Sequence, residues 1–129
     1  MKKRGFTLIE AMMVIVILGI ALPPFTVVTM NVLQQNIYSQ AQATAVALAE
    51  GELERATGTR FSLVTNEAVA TAFSAPFSAY THQWVVDYVN AGALDTPVAG
   101  PTDYKRVKIQ VANSIAGTVT ITTLMTNDW

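Results

Sequence analysis

The first quarter of the chain is almost continuously apolar. Residues 11–22 carry only apolar side chains, Pro23 and Pro24 interrupt the run, and a second apolar stretch continues to Leu33. A helix over residues 6–33 would be roughly 42 Å long at ~1.5 Å per residue. That length exceeds the ~30 Å hydrocarbon core of a bilayer. The pattern therefore predicts a transmembrane helix.

Residues 34–58 keep a helical pattern but become amphipathic and rich in alanine, which is the best helix former. Small and apolar residues recur at spacings of three and four, which indicates one apolar face; they are Ala41, Ala45, Leu48, Ala49, Leu53 and Ala56. We expect this segment to be the soluble half of the same helix. Gly58 is a suitable C-terminal cap.

In the last third of the chain the period changes to two. Apolar and polar residues alternate over residues 82–90, 106–111 and 118–123, which is typical of half-buried strands. Residues 113–117 suit a hairpin, whereas residues 60–79 and 91–103 read as loops, the first with room for a short helix or strand. We therefore predict an α+β fold with the long N-terminal helix packed on a small antiparallel sheet of three to four strands. Residues 59–129 form its globular β domain.

Charge separates the two ends of the chain. Lys2, Lys3 and Arg4 precede the apolar segment, while the rest of the chain is mildly acidic and the formal net charge is -1. The positive-inside rule places the N-terminus in the cytoplasm and the C-terminus outside. Nucleic-acid binding needs clustered cations on a folded surface, so it is disfavoured. The alternative is a weak DNA-binding patch of Lys105, Arg106 and Lys108 on one strand.

Glu10 is the single acid at the start of the apolar segment. It has a local interpretation, in which it lies near the positive end of the helix dipole. It also has a functional one, in which an intramembrane acid is kept for a partner because it costs up to ~2.5–3.5 kcal/mol on insertion scales. The position alone leaves both open.

Pro23 and Pro24 predict a kink in the helix. They remove two backbone donors and clash with carbonyls one turn earlier. The residue before a proline is also driven from the helical region, and here that residue is Leu22.

The chain contains no cysteine and one histidine, His82, without a companion at metal-ligand spacing. We read His82 as a strand-edge residue and residues 51–55 as a solvated helix face. Asp95 and Asp103 bracket a turn-rich loop but form no acidic cluster for calcium. We therefore predict no catalytic residue, no metal site and no cofactor, and hence no enzyme.

The N-terminus resembles that of type IV prepilins and type II secretion pseudopilins. The residues that carry the resemblance are Lys-Lys-Arg-Gly-Phe-Thr-Leu-Ile-Glu at positions 2–10, followed by the apolar run. The resemblance implies that residues 1–5 are a leader, that prepilin peptidase cuts between Gly5 and Phe6, and that Phe6 is N-methylated. It also implies that Glu10 pairs with the N-terminal amine of an adjacent subunit. Pro23 and Pro24 would mark a segment that unwinds in the filament.

The resemblance further implies a filament subunit in the bacterial inner membrane. Its partners would be other pilin or pseudopilin subunits, the peptidase and the inner-membrane assembly platform. The small globular part and the lack of a disulfide favour a minor pilin or minor pseudopilin over a major pilin. Other interpretations remain: a secretory signal cut after Ala21, a signal-anchored periplasmic binding module, and a DNA-capturing pilin.

Overall fold

The computed structural model describes residues 7–127. Helix α1 spans Leu8–Thr57, and a short 3-10 turn follows at Phe61–Leu63. The five strands are β1 (Thr71–Ala72), β2 (Tyr80–Asn90), β3 (Ala93–Val98), β4 (Tyr104–Asn113) and β5 (Gly117–Thr126). The predicted α+β class and the long helix on an antiparallel sheet are confirmed. The expected three to four strands are wrong, because the described residues form five.

The chain divides into two compact units, Met1–Ile37 and Tyr38–Trp129. The first unit contains the apolar part of α1. The second contains the rest of α1 and the sheet.

The three strands that the alternating pattern predicts form the centre and one edge of the sheet. Strand β4 lies between β2 and β5 and is antiparallel to both. The predicted hairpin is present: Asn113 pairs with Gly117 across it, and Gly117 has a φ of 74°. Such a positive φ suits glycine, which lacks the clashing Cβ.

Two short strands escaped the sequence pattern. Strand β3 lies in the segment expected to be a loop, and its register with β2 is irregular between Tyr88 and Asn90. It contains Pro97 and is almost wholly exposed, so it shows no alternation of buried and exposed side chains. Strand β1 is only two residues long. Both strands pair with the side of β2 that faces away from β4.

The core of the second unit lies between α1 and one face of the sheet. The predicted helix face is confirmed, since four of its alanines are buried and Leu48 and Leu53 pack beside them. The alanine side chains are short, so the helix axis can approach the sheet closely. The sheet side of the core comprises Trp84, Val86, Val107, Ile109 and Val111.

The outer side of β2 is closed along most of its length. Strand β1 pairs with its beginning and β3 with its end. Between them, the side-chain amide of Asn66 accepts from the Val86 amide at 2.6 Å and donates to the Val86 carbonyl at 2.9 Å. Glu67 does the same for Trp84: its carboxylate accepts from the Trp84 amide at 2.9 Å and its amide donates to the Trp84 carbonyl at 3.0 Å. Between β1 and β3, residues 66 and 67 thus bond the outward-facing backbone groups of β2 that no strand pairs.

Helix α1 continues through Pro23 and Pro24, which both lie inside it. Leu22 is helical, so the expectation that it would leave the helical region is wrong. The kink at the two prolines stays a prediction, as does unwinding in a filament.

Candidate assembly segment

The first unit presents large apolar side chains on every side of the helix. The most exposed include Leu8, Ile20, Phe25, Ile15 and Met30, which are 66–83% exposed. A helix that is apolar all round belongs in a membrane or against other helices. Its most apolar window has a mean hydropathy of 2.4, and none of that window is buried. The helix is therefore long and apolar enough to cross a membrane.

Glu10 lies in the first turn of this helix and is exposed. Its amide donates to the Thr7 carbonyl at 3.1 Å and to the Thr7 hydroxyl at 3.4 Å. Thr7 therefore caps the helix, and Glu10 occupies the third position after it, where an acid faces the positive end of the dipole. Within residues 7–127 the Glu10 carboxylate forms no ion pair.

Two threonines in the same segment satisfy their hydroxyls locally. Thr26 donates to the Pro23 carbonyl at 2.8 Å, and Thr29 donates to the Phe25 carbonyl at 2.9 Å. Because lipid offers no hydrogen-bond partner, this back-bonding removes the cost of burying the hydroxyls. The polar residues just beyond the prolines are therefore compatible with an apolar surrounding.

The predicted cleavage pair, Gly5 and Phe6, lies outside the described residues. Its processing and the methylation of Phe6 remain predictions.

The 51–55 segment, expected to be a solvated helix face, holds the helix to the sheet. The Glu52 carboxylate is only 13% exposed and accepts from the Trp84 indole at 3.0 Å. The same oxygen accepts from Arg55 at 2.7 and 2.9 Å, and the Arg55 guanidinium lies 4.4 Å from the centre of the Trp84 ring. The solvated-face interpretation is therefore wrong for Glu52. No local pattern signals this contact, because it joins residues 32 positions apart.

His82 lies inside the sheet, between Thr71 of β1 and Val111 of β4, so the strand-edge interpretation is wrong. Its Nδ1 atom is 3.5 Å from a Glu67 oxygen and 3.9 Å from a Glu52 oxygen. The part of the chain that the structure describes contains no group of three such side chains placed to hold a metal ion. Of the two acids that bracket the turn-rich loop, Asp95 is fully exposed and its carboxylate lies 3.8 Å from the Arg106 guanidinium.

The three cations proposed as a DNA-binding patch do not form one. Lys105 is 3% exposed and donates to the Phe61 and Val64 carbonyls at 2.6 and 2.9 Å. Arg106 lies on the opposite face of β4, is 8% exposed and binds Asp87 at 2.8 Å. Lys108 shares that aspartate at 3.8 Å. Lys105 and Arg106 are therefore buried and bound to groups of the domain itself, so they cannot contact a DNA backbone. This removes the basis for the DNA-capturing interpretation.

Comparison with known families identifies the N-terminal segment. Residues 1–22 match the family model described as the prokaryotic N-terminal methylation motif. The chain therefore carries the signature of type IV pilins and pseudopilins, and the predicted resemblance is confirmed. Proteins with this motif are structural rather than enzymatic. Searches of curated proteins and of solved structures found no match to this chain.

Proposed function

We propose that the chain is a minor pilin or minor pseudopilin, a structural subunit of a type IV pilus-like or type II secretion filament. Prepilin peptidase cuts between Gly5 and Phe6 and methylates Phe6. The mature chain then crosses the inner membrane once, with its C-terminus outside. The observation that carries the proposal is the position of Glu10, which lies within the matched residues 1–22 and is the one charged residue between Arg4 and Glu50.

The role of Glu10 follows from the cost of its position. An unpaired acid in a membrane segment is unfavourable by up to ~2.5–3.5 kcal/mol. An amine from a neighbouring subunit, newly freed at Phe6, would offset that cost and set the register between the two helices. The capping bond to Thr7 uses the Glu10 amide and leaves its carboxylate available.

One feature supports a minor over a major subunit. These 129 residues include no cysteine that could close the C-terminal loop with the disulfide found in many major type IV pilins. Catalysis in this scheme belongs to the peptidase and to the assembly ATPase, and the chain contributes binding surfaces.

The test compares Glu10→Ala with Glu50→Ala in a host that carries the assembly machinery. Glu50 is the next acid on the same helix and is exposed. We expect both variants to insert in the membrane, but only Glu10→Ala to be lost from sheared filaments. Normal incorporation of Glu10→Ala would overturn the partner role.

Intact mass of the membrane-extracted protein tests processing separately. A chain that begins at methylated Phe6 supports the proposal. A chain that begins at Leu22 indicates a secretory signal, and an uncleaved chain in the presence of the peptidase favours an anchored binding module.

A further inference from the structure

Two turns meet the helix at one end of the second unit. The Tyr80 hydroxyl donates to the Ala41 carbonyl at 3.3 Å, which ties the start of β2 to the beginning of the helical part of this unit. Asn113 pairs with Tyr80 across the sheet, and its side-chain amide donates to the carbonyl just before Tyr80 at 3.0 Å. The turn at residues 73–79 and the hairpin at residues 113–117 therefore lie side by side, at the end where the chain enters the unit.

The opposite end of the sheet is distinct from this one. The first residue of β2 contacts Ala41 of the helix, and Trp84 farther along β2 contacts Glu52, so β2 and the helix run in the same direction. The antiparallel β4 begins at the other end, where Lys105 donates to the Phe61 carbonyl just beyond the helix. One end of the sheet thus lies at Ala41 and the other beyond the last residue of the helix.

Charge is absent from the end at Ala41, which we call the uncharged end and define by the turn at 73–79, the hairpin at 113–117 and the helical residues 38–41. Three stretches of the sequence contribute to it and contain no charged residue; they are residues 34–49, 68–81 and 109–127. About a quarter of the residues in an average soluble domain are charged. An end without any charge is therefore unusual for a surface that faces only water.

The uncharged end exposes apolar and aromatic side chains, while the backbone of its turns is bonded internally. Ile115 at the hairpin tip, Phe77 in the turn and Tyr38 on the helix are all exposed. The Asn113 side-chain oxygen accepts from the Ile115 amide at 2.8 Å and from the next amide at 3.2 Å. The Phe77 amide donates to the Ser74 carbonyl at 2.9 Å. Because unpaired backbone groups are costly in an apolar medium, these bonds allow the two tips to leave water at little cost.

The chain length between the uncharged end and the apolar segment of α1 is short. Tyr38 follows Leu33, the last residue of the apolar stretch, by five positions. Five residues span at most roughly 18 Å even when fully extended, at ~3.6 Å per residue. If the apolar segment lies in a bilayer, the uncharged end is thus tethered close to the bilayer surface.

We propose that the uncharged end contacts the lipid bilayer that α1 enters, with Ile115 and Phe77 inserted among the lipid headgroups. This inference rests on the proposed function, in which α1 crosses the membrane and the second unit lies outside. Exposed apolar clusters mark interaction sites, and tyrosine is enriched at membrane–water interfaces, as Tyr38 would be here. The contact would restrict the orientation of the second unit in the membrane-anchored subunit before assembly.

Spin labels on single cysteines test the contact, since the chain has no cysteine of its own. The full, uncleaved chain is produced in a host without prepilin peptidase and reconstituted in phosphatidylcholine vesicles. Ile115→Cys reports on the uncharged end, and Leu63→Cys, an exposed apolar position just after Phe61, is the matched control at the opposite end. Val16→Cys reports on α1 itself. Collision of each label with oxygen, which enters lipid, is compared with collision with a nickel chelate present in the water on both sides of the membrane.

We expect Val16→Cys to collide mainly with oxygen, Leu63→Cys mainly with the chelate, and Ile115→Cys to collide with the chelate several-fold less than Leu63→Cys. If Val16→Cys lies in lipid but Ile115→Cys is as accessible to the chelate as Leu63→Cys, this inference fails and the membrane anchor stands. If Val16→Cys itself lies in water, the anchor fails and this inference fails with it. Protection of Ile115→Cys that disappears as lipid is added at constant protein would identify another chain as the partner and overturn the proposal.

An added charge gives a second measurement in the Ile115→Cys background. Phe77→Glu introduces an acid into the proposed lipid contact, so chelate collision at Ile115→Cys should rise toward the value for Leu63→Cys. Leu63→Glu, which adds the same charge at the opposite end, should leave it unchanged. Protection should also be independent of salt and of added phosphatidylglycerol, because the uncharged end offers no cation to anionic headgroups. Protection that survives Phe77→Glu, or that requires phosphatidylglycerol, would overturn the apolar contact.

Discussion

Replacing Lys105 with methionine tests whether a buried cation holds the start of the globular domain to the sheet. The Lys105 ammonium donates to the Phe61 and Val64 carbonyls and lies 4.5 Å from the Phe61 ring and 5.1 Å from the Tyr88 ring. Methionine keeps an unbranched side chain of similar length but removes the charge and all three donors. The two carbonyls then lose their partners.

The expected magnitude is a difference between two large terms. Hydrogen bonds to a charged group contribute ~1.5–3 kcal/mol each, so the two bonds amount to roughly 3–6 kcal/mol. Removing the ammonium also removes its desolvation cost, which is several kcal/mol for a buried ion. We expect a net loss of about 1–3 kcal/mol in the free energy of unfolding, which corresponds to a fall in Tm of roughly 5–20 °C for a domain of this size.

Lys108→Met on the same strand is the matched control. The Lys108 side chain is 33% exposed and its Nζ lies 3.8 Å from the Asp87 carboxylate. Partly exposed pairs of this kind contribute ~0–1 kcal/mol. Thermal unfolding of the full chain in detergent micelles, followed by near-ultraviolet circular dichroism, measures both variants. Equal Tm values for the two variants, or a higher Tm for Lys105→Met, would show that the relieved desolvation cost equals or exceeds the loss of the two bonds, and would refute the reasoning.

Two further predictions concern the packing of the helix and the closed edge. Ala49→Leu inserts a large side chain at a fully buried position of the helix–sheet contact and should destabilise by about 1–3 kcal/mol. Ala47→Leu, exposed on the same helix, should leave Tm nearly unchanged; similar losses in both would contradict the proposed packing. Asn66→Ala removes the partners of both the amide and the carbonyl of Val86 and should cost about 1–3 kcal/mol for each group left unpaired. Asn66→Asp keeps the acceptor and should lose less, and amide hydrogen exchange at Val86 should accelerate in Asn66→Ala; an unchanged rate would count against the edge closure.

The sequence predicted the features that depend on local periodicity. The alanine face of α1 and the three long strands repeat at spacings of 3.6 and two, and the hairpin at residues 113–117 follows from its length and its glycine. Strand β3 could not be predicted in this way, because Pro97 and general exposure leave it without alternation. Its pairing depends on where β2 ends rather than on its own side chains.

The side-chain contacts that hold the helix and the connecting loop to the sheet could not be predicted from the sequence pattern for a related reason. Glu52 meets Trp84 across 32 positions, and Asn66 meets Val86 across 20. Which side chains meet over such distances depends on the helix–sheet register and on the path of the connecting loop. Lys105 shows the same limit in part: its parity with Val107 and Ile109 already places it on the core side of β4, but its partners, the Phe61 and Val64 carbonyls, lie 44 and 41 positions away.

The composition of α1 changes along its length because its two parts face different surroundings. Residues 41–56 carry small alanines toward the sheet, where close approach limits side-chain size, and acids and glutamines on the remaining surface. Residues 8–33 carry large aliphatic side chains on all sides, and their few small apolar residues, Ala11, Gly19 and Ala21, are not spaced four apart as in a small-residue packing face. In such a segment van der Waals contact alone selects register weakly, since many helix rotations bury similar area. A single carboxylate changes this, because an ion pair in an apolar medium is satisfied in one position only. Under the proposed function, Glu10 would specify how subunits align, while the apolar surface around it would provide the association.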